Sequence, residues 1–330
     1  MLNSIGGRIG AGFAGVVLAM MLANAPACAQ KLKVVRFGKA VPTAFTFTPV
    51  DVGVKEGIWK KLGLDVQILS FHGDGQLQQA LASNSIDFAI GSGPGMGYHS
   101  KGVPAIAVAA AAGPPKNMAL IVLDNTPYKK IDDMKGKKIG VTTAGALTDW
   151  LVKELSKKKG WTGADAMKAV PMGSTRARLA AMKMHAIDGT IGTTDEGIQM
   201  EAEHKGRLLM TMGSIVKPFI THVLYARDSL IKKDPATVKA FLQGWFQTIK
   251  FMKSHKKASV AIASKVLHTP ASILDKSYAA EMGMMSDNGV FDPAAVKLVA
   301  KSLVDLHILK TVPTPKQMYT DQFVPVKLTK

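Results

Sequence analysis

The chain has a single cysteine, Cys28, among 330 residues. That excludes a disulfide framework and any multi-cysteine zinc or iron–sulfur centre. Acidic residues are scarce beside basic ones, 24 against 42, for a formal net charge of +18. Such a charge suits nucleic acid, an anionic surface or an anionic solute, and composition does not choose among them. Aromatics make up only 6% of the chain. None interleaves with the basic runs Lys129–Lys138 and Lys153–Lys159 as a single-strand nucleic-acid groove requires, so these runs read as solvated faces. G-x-S-x-G, H-E-x-x-H and the Gly-Lys-Ser/Thr P-loop are all missing, and the eight histidines show no ligand spacing. The eighteen methionines are not clustered as M-x-x-M repeats and read as core filler. With 47% hydrophobic and 20% charged residues, the chain is a packed globular protein of a length that suits two lobes.

Residues Met1 to Ala29 carry one charge, Arg8, ahead of an apolar run from Ile9 to Ala23. The run falls short of the ~20 residues that a bilayer span needs. Ala27 and Ala29 then form a small-x-small pattern, so residues 1–29 read as a secretory signal peptide cut before Gln30. An uncleaved anchor and lipidation of Cys28 are the competing readings. Cleavage removes only Arg8 among the charged residues, lowering the net charge from +18 to +17. The remaining thiol-free chain then works outside the cytoplasm, away from genomic nucleic acid.

From Lys33 onward short strands alternate with helices. Leu64, Val66 and Ile68 alternate with polar neighbours, as do Ile86, Phe88 and Ile90; Ile139 and Val141 follow Lys138. Leu147, Trp150, Leu151 and Leu155 recur at helical spacing until Gly160 ends the run. Strand–helix alternation predicts parallel sheets with helices on both faces. Residues 80–92 align without gaps on residues 181–193, each a helix end, a loop, an Ile-Asp strand start, then Gly and a hydroxyl residue. Two lobes of like βα architecture would produce this echo; chance similarity of α/β segments is the alternative. Thr221 to Arg227 reads as one more strand. Asp234-Pro235 and Asp292-Pro293 then open helices, each with Asp as cap and Pro in the first turn. The last third is therefore mostly helical and packs on the first lobe.

Five glycine- and hydroxyl-rich turns each follow a strand: His72-Gly73-Asp74-Gly75, Gly91-Ser92-Gly93-Pro94, Thr142-Thr143-Ala144-Gly145, Gly173-Ser174-Thr175 and Gly192-Thr193-Thr194. In α/β sheets ligands bind at the carboxyl ends of strands, and free turn amides at helix starts favour an anion there. Each turn is also an ordinary helix cap, and the set, split between two lobes, is what suggests a site. One helix terminus supplies only about 0.3–1 kcal/mol, up to about 2 when partly buried. Micromolar affinity needs about 8 kcal/mol, so apolar contact and exclusion of water must supply the rest. Phe45 and Phe47 are candidate apolar walls, with core packing as the alternative. His72 and His222 could line a cleft but read first as surface or capping residues, and Asp74, Asp87 and Asp188 read as caps or strand starts. Asp195-Glu196, if it faces the cleft, argues against a strongly anionic ligand or marks a site for an amine.

Several stretches in order resemble the solute-binding proteins of ABC importers, in the nitrate/sulfonate/taurine group. They are Val52-Gly53-Val54-Lys55-Glu56-Gly57-Ile58-Trp59, Leu62-Gly63-Leu64-Asp65-Val66, Gln79-Ala80-Leu81 and Ser85 to Gly91. Lys101-Gly102-Val103-Pro104, Ile131 to Val141 and Asp234-Pro235 with Val238 to Leu242 continue the series. The group is similar in fold to thiamine-pyrimidine synthase. The resemblance implies an α/β, two-lobed periplasmic-binding-protein type II fold, with residues 30–115 and 218–330 as one lobe and 116–217 as the other. Two crossing strands near Pro115 and Pro218 would serve as the hinge. It implies a periplasmic monomer that is not an enzyme, uses no cofactor or metal, captures a small solute by hinge closure and serves an ABC permease and its ATPase. Family solutes are sulfonates, carboxylates, nitrate and aromatic or pyrimidine-like compounds. By position the ligand loops are Thr43, Phe45, Thr46 and Phe47; Gly73, Asp74, Gly75 and Gln76; Ser92 and Gly93; Thr142, Thr143, Ala144 and Gly145; and Thr193, Thr194 and Asp195. Of Arg176 and Arg178, Arg176 is the one placed to reach the cleft. A pyrimidine-synthase-like enzyme is an alternative, but its cysteine-rich stretch is missing here. A ligand-presenting sensor subunit is another.

Overall fold

Ten strands form two five-stranded sheets of the same plan. The first contains β1 (Lys33–Lys39), β2 (Leu64–Ser70), β3 (Phe88–Ser92), β4 (Ala105–Ala112) and β10 (His222–Arg227), in the order β2-β1-β3-β10-β4. The second contains β5 (Met118–Leu123), β6 (Lys138–Val141), β7 (Lys168–Pro171), β8 (Gly189–Thr193) and β9 (Gly206–Thr211), in the order β7-β6-β8-β5-β9. In each sheet four strands run in one direction, and a fifth, from the far side of a chain crossing, is inserted antiparallel to them: β10 between β3 and β4, and β5 between β8 and β9. The chain leaves the first sheet after Ala112 and re-enters it at His222. This is the periplasmic-binding-protein fold that the family resemblance implies. The structure, a computed structural model, describes Met1 and residues 31–328. The signal-peptide reading of residues 1–29 and the question of Cys28 therefore fall outside the described residues. The chain divides into two compact units, Met1–Leu32 and Lys33–Lys330, and both sheets belong to the second.

Eleven α-helices flank the sheets among the described residues: α1 (Pro49–Lys55), α2 (Ile58–Lys61), α3 (Asp74–Ala82), α4 (Leu147–Lys158), α5 (Thr175–Lys183), α6 (Thr194–Ala202), α7 (Asp228–Lys233), α8 (Pro235–Ser254), α9 (Lys256–Leu267), α10 (Ala271–Met284) and α11 (Pro293–Asp305). The predicted caps form. Asp234 accepts from the Thr237 amide at 3.1 Å and Asp292 from the Ala294 amide at 2.9 Å, each satisfying an otherwise orphaned first-turn donor. The long helix α8 lays its apolar stripe on the first sheet. Phe241 stacks on Phe88 at 4.2 Å, Phe37 at 5.3 Å and Trp59 at 5.6 Å, and the Trp59 indole donates to the Phe241 carbonyl at 3.0 Å. Aromatic burial of this kind dominates a core because each ring removes some 150–250 Å² from water. Beneath it Lys39 and Asp51 form a buried ion pair at 2.9 Å that ties β1 to α1. No helix among the described residues is long and apolar enough to cross a membrane.

Candidate functional site

The first and second sheets turn their strand ends toward each other around a cavity of about 70 Å³. One wall comes from the first sheet and its loops, with Ala40, Ala44, Phe47 and His222. The other comes from the second, with Met118, Leu147, Arg178 and Ile191. At roughly 10–15 Å³ for each water, the cavity holds a group of a few heavy atoms. Among the residues expected to hold a ligand, Thr43, Phe47, Gly73, Asp74, Ser92, Thr142 and Thr193 line it.

Gly73 shows how closely the two sides approach. Its φ of +130° favours glycine, and a Cβ there would stand 2.5 Å from the Thr143 methyl. Thr143 thus meets Gly73 across the gap and does not line the cavity.

The other expected residues lie elsewhere. Phe45 is fully buried, edge-on to Tyr278 at 5.6 Å, and belongs to the core, as does Thr46 beside it. Gly75 and Gln76 sit in the first turn of α3, where Gln76 accepts from the His72 amide at 3.1 Å. Gly93 packs against the Ile220 carbonyl, so closely that a Cβ would come within 2.0 Å of it. Ala144 is exposed, and Gly145 packs against Ile308. Thr194 and Asp195 are buried at the start of α6 without lining the cavity. Arg176 lines a separate groove at the rim with Pro42, His72 and Ser174.

The guanidinium that reaches the cavity is Arg178. It lies one helical turn after Thr175, on the face of α5 that also carries the buried Ala181 and Met182. Arg176, two residues earlier, points to the rim by the same helical phase. Arg178 Nη1 donates to the Ile191 carbonyl at 2.9 Å and Nη2 to Thr175 Oγ1 at 2.9 Å, while buried Nε has no partner. Burial pulls its pKa down, and Glu196 opposes the shift.

His222, at the first position of β10, is also buried on the cavity wall, edge-on to Phe47 at 4.7 Å. Neither ring nitrogen has a hydrogen-bond partner. Burial pushes its pKa down to about 3 against the smaller opposing effect of the Gly91 backbone, so the ring is neutral at pH 7. A neutral imidazole offers one donor and one acceptor. Asn117 adds an unpartnered Oδ1, its Nδ2 being engaged by Glu281 at 3.2 Å.

The turn amides expected to hold an anion are largely taken by the protein's own side chains. Ser92 N donates to Asp74 Oδ1 at 2.9 Å, Thr142 N to Thr148 Oγ1 at 3.0 Å, Gly145 N to Asp149 Oδ2 at 2.8 Å and Thr193 N to Glu196 Oε2 at 3.1 Å. Three of those four acceptors are carboxyl groups, so internal side chains already occupy the places where helix starts favour negative charge. Burial raises the pKa of Asp74, and its bond from Ser92 opposes the shift.

Asp195 and Glu281 form a further buried acidic group beside Asn117. Burial, with Glu196 next, raises Asp195 to about 6. Burial and then Asp195 raise Glu281 well above the usual carboxyl range. Among the described residues no group of three or more His, Cys, Asp or Glu side chains is arranged to hold a metal ion.

The sequence matches the family model described as NMT1/THI5 like over residues 44–259. No curated protein sequence matches the chain. Among solved structures, the alkanesulfonate-binding protein SsuA from Xanthomonas axonopodis pv. citri, bound to MOPS, superposes with a TM-score of 0.71 at 14% identity, covering 86% of this chain and 96% of that one. The periplasmic nitrate-binding protein NrtA from Synechocystis PCC 6803 gives 0.73 at 16% identity, with 88% and 85% covered. A ligand-binding component of an ABC-type import system from Staphylococcus aureus, with zinc bound, gives 0.73 at 17%, with 90% and 100% covered.

Proposed function

The chain belongs to the NMT1/THI5-like family, and on that premise we propose that it is an extracytoplasmic receptor that closes two lobes around a small solute and delivers it to an ABC permease and its ATPase. The observation that carries this is the cavity between the sheets. It is walled from both sides, and three of its lining residues keep buried polar atoms that lack protein partners: Arg178 Nε, both His222 ring nitrogens and Asn117 Oδ1. Buried polar groups without partners are costly, about 1–3 kcal/mol each, and a bound solute relieves that cost.

In this reading residues 30–115 and 218–330 form one lobe and 116–217 the other. The crossings at Gly113–Asn117 and 212–221 act as the hinge, and closure brings Gly73 against Thr143. The names of the similar structures, binding proteins for sulfonate and nitrate and an import component, support a transport role in the periplasm. The site chemistry narrows the solute. Arg178 shares the lining with two carboxyl groups, Asp74 and Glu196, and His222 is neutral. Such a lining suits a polar organic solute carrying both donors and acceptors better than a bare oxyanion. Nothing in the lining forms a nucleophile–base pair, and we read the protein as a binder.

The test is a thermal-shift panel of sulfonates, carboxylates, nitrate, amides and pyrimidines. A solute at a hundredfold its Kd stabilises by about 2.7 kcal/mol, a rise in Tm on the order of 5 °C. Arg178→Gln removes the rise. Absence of any shift across the panel overturns the reading.

A further inference from the structure

The small cavity shares a wall with a much larger chamber. Thr43, Arg178 and Glu196 line both, and the second chamber measures about 590 Å³ against 70 Å³ for the first. Ile121 and Leu123 of β5, Leu179 of α5, Met200 of α6 and Leu267 at the end of α9 give it an apolar wall. Charged groups of both signs also line it, among them Lys183, Lys205, Asp124, Asp195 and Glu203.

The side chains of Thr43, Arg178 and Glu196, which border both spaces, form part of the partition between them. On the second-sheet side it is tightly bonded: Thr175 Oγ1 donates to Glu196 Oε1 at 2.8 Å and Arg178 Nη2 to Thr175 Oγ1 at 2.9 Å. On the first-sheet side it is loose. Thr43 Oγ1 stands 3.4 Å from Thr175 Oγ1 and 3.5 Å from Glu196 Oε1, at the outer limit of hydrogen bonding. The partition is therefore weakest at Thr43.

We propose that the two chambers are one binding site for one solute. A compact polar head meets Arg178, His222 and Asn117 in the inner cavity, and an apolar body passes Thr43 into the chamber between α5 and α6. The inference rests on the receptor reading and names its substrate class: an organic molecule with a small polar head and an extended apolar body. An inorganic ion fills only the inner space and leaves the apolar walls of the outer one unused. The guanidinium of Arg178, in the partition itself, marks the junction where head gives way to body.

The experiment is calorimetric titration of the full chain with straight-chain primary amides and straight-chain carboxylates from two to eight carbons. The expected result, for one head or both, is a Kd that falls about fourfold per added methylene, the increment for burying one CH₂. Met200→Trp and Leu179→Trp, from opposite walls, fill the outer chamber. In either variant that folds, short homologues keep their wild-type Kd and long ones lose their gain. Binding of short homologues with no dependence on length overturns the proposal and leaves the receptor reading standing. A length dependence that both tryptophan variants leave unchanged also overturns it. No binding by any homologue overturns it as well, and the thermal-shift panel then decides the receptor reading separately.

Discussion

The two sheets share one strand plan and differ in what they were given to pack. Equivalent positions make this concrete. Asp87, before β3, accepts from the Arg36 amide at 2.9 Å; Asp188, before β8, accepts from the Lys138 amide at 2.9 Å. Each aspartate clamps the neighbouring parallel strand through a backbone amide, so the echo between residues 80–92 and 181–193 is a repeated structural device. Their surroundings then diverge. Asp87 collects the guanidinium groups of Arg36 and Arg227, which hold its pKa at about 2 although burial pushes it up. Asp188 instead accepts the Tyr128 hydroxyl at 2.5 Å, which, after burial, helps push that phenol up to about 12. The first sheet is braced by the Phe37, Phe88, Phe241 and Trp59 stack and by the C-terminal helices. One face of the second is a smaller cluster with Ala119, Ile121 and Met200 and no aromatic ring among its described members. The same framework is thus a rigid base on one side and, on the other, a lighter half that carries Arg178 and the larger chamber.

The largest effect expected from breaking this contrast is in the aromatic stack. Phe241→Ala should cost about 3–5 kcal/mol in urea unfolding, because three buried rings lose a partner. Ile121→Ala, on the second sheet, should cost nearer about 2 kcal/mol, the lower end for its type, since its side chain already borders an open chamber. Equal losses would refute the asymmetry.

Next comes the acidic group where α6 meets α10. Asp195, at about 6, is raised above its unfolded value of 3.8. A carboxyl group raised in the folded state binds more protons there than when unfolded, so its contribution is full below pH 4 and is lost as pH climbs through 6. Asp195→Asn should therefore leave stability at pH 4 nearly unchanged and raise it at pH 7.5 by about 1–3 kcal/mol. Denaturation at the two pH values decides it; a variant equally destabilised at both would show that the carboxylate is needed as a charged cap.

A smaller contrast concerns two positive-φ glycines. Gly73→Ala combines strain at φ +130° with a clash against Thr143, whereas Gly173→Ala meets nothing closer than 3.8 Å. The first should weaken solute binding at least tenfold by holding the sides apart, and the second should cost only about 1 kcal/mol of stability with binding intact. Titration of both variants with the panel's best solute provides the comparison.

The smallest expected difference is between Asp87→Asn and Asp188→Asn. The first should cost about 1–2 kcal/mol at pH 7, discounted for partial exposure, and the second less. Because the folded pKa of Asp87 is depressed, its contribution is present above about pH 4 and fades as pH falls toward 2. The Asn variant should therefore approach wild-type stability in acid, which unfolding at pH 2.5 and pH 7 would reveal.

Much of the frame was legible because it rests on local chemistry. The alternations around Leu64, Phe88 and Ile139 became β2, β3 and β6, and the Asp-Pro pairs opened α8 and α11. The run Ala105–Ala112 gave no strand signal. Seven of its eight side chains are alanine or valine without alternation, and it becomes a strand only because both of its faces are buried by tertiary contacts.

The site was less legible. Turn glycines advertise free amides, but whether a nearby Thr, Asp or Glu takes those amides depends on rotamers that spacing does not reveal. Arg178 did leave a trace: it is in helical phase with Ala181 and Met182, the buried side of α5, whereas Arg176 is not. His222 left an ambiguous one, since a histidine at the head of an apolar strand reads alike whether it caps a surface turn or lines a cavity.

A crystal structure of the protein with the solute that gives the largest thermal shift tests the central claim most directly. The account predicts electron density for that solute bonded to Arg178 Nε and touching side chains from both sheets. Density confined to one sheet, or lying on the outer surface away from Arg178 and His222, would contradict it.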